Sequence, residues 1–99
     1  MREAANRGEQ AEALAITALG FVASDPELLP RFLAITGIEA SEVRRAAREP
    51  GFLAGVLQFI LAHEPTLIRF AEHAGVAPSA VATARRALPG GDDRFDISS

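Results

Sequence analysis

Along this chain apolar side chains recur every three or four positions and are interrupted at intervals by proline and glycine. That spacing places them on one face of an α-helix. No stretch shows the sustained Val-, Ile- and Thr-rich alternation of a strand, so no sheet is expected. Asp25-Pro26, Gly37, Pro50-Gly51, Glu64-Pro65, Gly75, Pro78 and Pro89-Gly90-Gly91 stand where helices start or stop. The pattern predicts six helices, near 9–24, 27–36, 40–49, 52–63, 66–74 and 78–88.

The apolar bands differ in width. On the first helix Leu14, Ala15, Ala18, Leu19, Phe21 and Val22 form one broad stripe. On the fourth, Phe52, Leu53, Val56, Leu57, Phe59, Ile60 and Leu61 cover about 200° of the circumference, with Gln58 inside the band. A helix this apolar either lies at the centre of a core or is half-covered by a partner. The central position is the stronger expectation. Under the other reading Phe52, Val56, Phe59 and Ile60 form a partner interface. The second and fifth helices present Leu28, Leu29, Phe32, Leu33, Ile35 and Leu67, Ile68, Phe70, Ala71, Ala74.

The bands also repeat. Shifted by 38 positions, Leu19 falls on Leu57, Phe21 on Phe59, Leu29 on Leu67 and Arg31-Phe32 on Arg69-Phe70. Gly37 falls on Gly75, Ser41 on Ser79, Val43 on Val81, Ala46 on Ala84 and Arg48 on Arg86. The expected fold class is therefore all-α: a compact bundle of about six short helices made by two pseudo-symmetric three-helix repeats, about 9–49 and 50–89. Each repeat alone buries too little to stand, so the two must cover one another, with the Phe21 and Phe59 helices in contact. Residues 1–8 read as a flexible N-terminus and 90–99 as an acidic flexible tail.

Composition agrees with helices: 20 of the 99 residues are Ala, the best helix former. All ten basic residues are Arg, and the net charge is −3. An acidic balance counts against non-specific nucleic-acid binding. With no Cys there are no disulfides, thiolate chemistry or cysteine zinc sites. The N-terminus is polar rather than a secretory signal. The most apolar run, Phe52 to Ala62, is too short to span a bilayer. A cytoplasmic protein without a membrane segment is expected.

No catalytic, cofactor-binding or metal-ligating set stands out, so no enzyme activity and no cofactor are expected. His63 and His73 lie ten apart, without ligand spacing. Ser24, Ser41 and Ser79 read as helix caps. Gly90-Gly91 lacks the Lys-Ser/Thr of a phosphate loop. The segment from Phe70 to Val81 has the Ala, Gly and Val spacing of a helix-turn-helix bend. Were it to read DNA, Ser79, Thr83, Arg85 and Arg86 would have to share one exposed face. In the tail, Phe95 and Ile97 are spaced by two and suit a docking peptide with Phe95 as anchor.

The run from Ala11 to Phe21, Asp25-Pro26, Arg31-Phe32-Leu33 with Thr36-Gly37, Pro50-Gly51-Phe52-Leu53 and Ala87-Leu88-Pro89-Gly90 resemble a family of short alphaproteobacterial proteins known only as a domain of unknown function. The likeness runs from about 11 to 90. It implies an all-helical bacterial protein and brings no activity or site residue. The function expected is a small helical interaction module, bound to an unidentified protein partner or to a second copy. The alternative is a helix-turn-helix DNA-binding or transcription accessory protein.

Overall fold

The computed structural model describes residues 2–49 and 51–89, with side chains from Gly8 onward. Every regular element among them is helical: α1 (Arg2–Ala23), α2 (Leu28–Thr36), a 3-10 turn (Ala40–Glu42) running into α3 (Val43–Ala46), α4 (Phe52–Leu61), α5 (Glu64–Ala74) and α6 (Pro78–Ala87). The tail at 90–99, with Phe95 and Ile97, lies outside the described residues.

On α1, Ala11, Ala15, Ala18 and Val22 are buried. Their steps of four, three and four residues follow the 3.6-residue turn and make a single seam. The small side chains let neighbouring helices approach closely. The helix begins at Arg2 rather than near residue 9; Glu3, Ala4 and Ala5 are compatible with that extension, since Ala and Glu form helix readily. At its other end the Ser24 hydroxyl donates to the carbonyls of Gly20 (2.9 Å) and Phe21 (3.2 Å). Ser24 thus serves the end of α1. The start of α2 is served by Asp25, whose Oδ1 accepts the N–H of Glu27 (2.8 Å) and of Leu28 (3.0 Å). The expected Ser24 cap is corrected accordingly. Ser41 and Ser79 make no capping hydrogen bond either.

The chain turns by 110° between α1 and α2. Leu28 and Phe32 plug α2 into the core, and the α5 counterparts Thr66, Phe70 and Ala71 do the same. Both helices end on a left-handed glycine, Gly37 at φ 75° and Gly75 at φ 72°, a conformation costly for other residues. The two ends are closed differently. Gly37 makes one bond, N–H to the Leu33 carbonyl (2.8 Å). Gly75 bonds to Glu72 and Val76 bonds back to Ala71 (3.3 and 3.0 Å), the paired pattern of a Schellman end.

The centre is α4. Ala54, Val56, Leu57 and Ile60 are buried, and of its ten residues only Gly55 is exposed. The helices α1, α4 and α6 pack against one another, α5 leans on all three, and α2 rests on α1. Phe rings tie the two halves reciprocally. Phe21 lies 5.4 Å from Phe70, and the exchanged pair, Phe59 and Phe32, lies 5.3 Å apart.

The third predicted helix, 40–49, forms only in part. It is one 3-10 turn followed by four α-helical residues, and no residue in either is buried. Val43 is its sole bulky apolar side chain, and so short a helix is marginal without packing.

Candidate partner groove between the first and last helices

Helices α1 and α6 meet through small side chains, and small side chains on both sides leave space. A groove of about 620 Å³ runs between them. From α1 it is lined by Gln10, Ala11, Ala13, Leu14 and Thr17. From α6 come Ala80, Thr83, Ala84 and Ala87, and Ala74 with Val76 close one end. Ala11 and Ala84 form the buried floor, while Gln10, Ala13, Thr17, Thr83 and Ala87 are exposed at the mouth. On α6 the lining falls at 80, 83/84 and 87, successive turns of one face. Ile16, 55% exposed, is helically adjacent to Ala13 and Thr17 and widens the apolar surface beside the mouth.

Among the described residues the lining has no ionisable group. Its polar members are Gln10, Thr17 and Thr83, and the Thr83 hydroxyl donates to the Ser79 carbonyl at 3.2 Å. The described lining residues include no charged side chain and no histidine. Such a surface can receive uncharged apolar groups, with neutral hydrogen-bonding side chains at the edge.

The residues singled out from the sequence fall elsewhere. Val56 and Ile60 have no exposed surface, and Phe52 and Phe59 are half-buried with their rings 5.9 and 5.3 Å from Phe32. The wide stripe of α4 is therefore mainly core, covered by α1, α5 and α6 and by Phe32 of α2. On α6, Ser79, Thr83 and Arg86 are exposed and, at i, i+4 and i+7, share a face. Arg85 does not join them. Its guanidinium reaches across to Gln58 of α4 and is half-buried. The geometry a DNA reader would need is thus missing one of its two arginines, because position 85 is turned about 100° from Arg86 around the helix.

The histidines have local partners. His63 Nδ1 is 2.7 Å from the hydroxyl of buried Thr66 at the start of α5. The His73 ring stacks 5.2 Å from Phe21. Among the described residues no three His, Asp or Glu side chains cluster in a way that could hold a metal ion. Among the described residues one ion pair spans the halves: Arg69 donates to Asp25 at 2.8 Å and lies 5.6 Å over the Phe21 ring. That guanidinium, with the N–H groups of Glu27 and Leu28, holds the Asp25 carboxyl below its ordinary pKa. This is a structural clamp, since Asp25 already spends both oxygens on these partners.

Sequence pattern alone did not bring out the groove residues. The available signal was Ala at 80, 84 and 87 facing Ala11, Ala13 and Leu14. Alanine at such spacing reads first as helix propensity, and only the packing of α1 on α6 turns it into a lining.

A small all-helical protein, with three mutually packed helices and an apolar groove along two of them, is the class this structure defines. No single helix among the described residues is long and apolar enough to cross a membrane. The chain belongs to the family described as Protein of unknown function (DUF3572), whose model matches residues 8–91. Neither the curated proteins nor the solved structures yield a match to this chain.

Proposed function

We propose that this protein is a non-enzymatic helical interaction module of the bacterial cytoplasm, whose α1–α6 groove receives an uncharged, apolar segment of a partner protein. The observation that carries this reading is the groove itself: about 620 Å³ lined mostly by small apolar side chains, with no charged one among the described residues, and with exposed Ile16 nearby on α1. Small residues on the protein side favour bulky ones on the partner side, the usual complementarity of a side chain entering a slot. Exposed apolar surface next to a groove is a common mark of protein contact sites. The Ala-rich, Lys-free composition supports the bacterial source.

The test is site-specific photo-crosslinking in the source cell. A photoreactive residue at exposed Thr83 is expected to yield one discrete adduct. A second copy of the chain as partner would appear at twice its mass. Thr17→Glu, at an exposed position, places a charge in the uncharged groove and is expected to remove the adduct while leaving the circular dichroism melt unchanged. An adduct that survives Thr17→Glu, or a pattern matching that from remote exposed Arg31, overturns the proposal.

A further inference from the structure

The described residues end at Pro89, two positions after groove-lining Ala87. The sequence then continues Gly90-Gly91-Asp92-Asp93-Arg94-Phe95-Asp96-Ile97-Ser98-Ser99. Its only large apolar side chains are Phe95 and Ile97, spaced by two. In an extended segment both point to one side, while Arg94 and Asp96 point to the other. That is the pattern of a strip with one apolar and one wet edge, and the groove has the complementary apolar floor and open mouth.

Reach and charge agree with this pairing. The α6 side of the groove runs from Ala87 back to Ala80, about 10 Å at 1.5 Å per residue. The six residues from Pro89 to Phe95 span up to about 20 Å when extended. Leu88 is buried and anchors the end of α6, so entering the groove requires the chain to double back. Gly90-Gly91 supplies the freedom a tight reversal needs. A segment running back along α6 would carry Asp92 and Asp93 close to Arg86, exposed on α6 beside Ala87.

We propose that residues 90–99 occupy the α1–α6 groove of their own chain, with Phe95 and Ile97 seated in it. This rests on the groove being a receptor for apolar segments and names the chain's own tail as its resting occupant.

The absence of Cys makes the test clean. A nitroxide on Ser98→Cys in the full chain is expected to broaden the amides of Thr17, Ala80, Thr83 and Ala87 most strongly. Phe95→Ala with Ile97→Ala is expected to cut that broadening at least threefold. Broadening spread evenly, or unaffected by the double substitution, overturns the proposal. So does broadening that appears only between chains, read by mixing isotope-labelled protein with spin-labelled unlabelled protein. The two readings can fail separately. If the tail leaves the groove untouched yet Thr17→Glu still abolishes the cellular adduct, the tail occupant falls and the partner groove stands. If the tail fills the groove but the adduct ignores Thr17→Glu, the partner reading falls.

Discussion

The two halves of this chain carry nearly the same apolar pattern, and several paired positions of their first two elements are buried alike. Val22 and Ile60 are both fully buried, and so, to within 1%, are Phe32 and Phe70. Leu29 and Leu67 are both half-buried, Arg31 and Arg69 both exposed, and the reciprocal ring pairs Phe21–Phe70 and Phe59–Phe32 differ by 0.1 Å. The third elements part company. Val81 and Ala84 are buried on a ten-residue helix, whereas Val43 and Ala46 are half-buried on a four-residue one. The cause lies in the helices they would pack on. The 22-residue α1 continues N-terminally past Leu14 through Ala11, giving α6 a surface to lie along. The ten-residue α4 begins at Phe52, the counterpart of Leu14, and offers α3 no such length. The same side-chain pattern becomes a helix only where a neighbour is long enough to bury it.

The largest effects should come from the positions where the halves agree. Truncating Phe32 or Phe70 to Ala removes a buried ring, each at about 3–5 kcal/mol. Phe70 sits on α5, which leans on α1, α4 and α6, while α2 rests on α1 and, through Phe32, on the Phe52 and Phe59 rings of α4. We therefore expect Phe70→Ala at the upper end of that range and Phe32→Ala at the lower, by denaturant titration. A clear reversal would mean that the two halves do not divide the core as the packing indicates.

Where the halves differ, the effect is smaller and more telling. Val81→Ala deletes two buried methyl groups and should cost about 2 kcal/mol at about 0.8 kcal/mol per buried carbon group plus a small cavity. Val43→Ala, on the half-buried short helix, should cost under about 1 kcal/mol. Equal losses would show that α3 is docked as firmly as α6, and the contrast drawn above would collapse.

Much of this contrast was invisible in the sequence, for definite reasons. The all-helical class, the central place of α4 and the left-handed Gly37 and Gly75 follow from periodicity and from glycine positions, which are local signals. The collapse of α3 depends on the length of another helix. The cap of α2 falls to Asp25 because the Ser24 hydroxyl is turned back to the carbonyls of Gly20 and Phe21, a choice the sequence alone does not make. Arg85 looked like a companion of Arg86 in sequence, but one residue is 100° of helix rotation, enough to turn it to Gln58. The groove depends on two alanine faces from opposite ends of the chain meeting, which no local window contains.

The smallest effect tests the Asp25–Arg69 clamp between the halves. Asp25 pairs with Arg69, but Arg31, the counterpart of Arg69, forms no ion pair with Glu64, which stands one residue past the counterpart of Asp25. Asp25→Asn keeps a side-chain oxygen for the N–H groups of α2, since Asn caps as well as Asp, and so removes mainly the charge. Because the folded carboxyl titrates below its unfolded value near 3.9, its contribution is fully present above that value and is lost as pH falls through the lower folded pKa. The wild type should therefore melt slightly above Asp25→Asn at pH 7, and the gap should close below about pH 4. With Arg69 largely exposed, salt should shrink the gap as well. Arg31→Gln should show no comparable pH-dependent gap. A gap that widens toward low pH, or one of equal size at Arg31, would mean that the clamp is not the asymmetric link the structure shows.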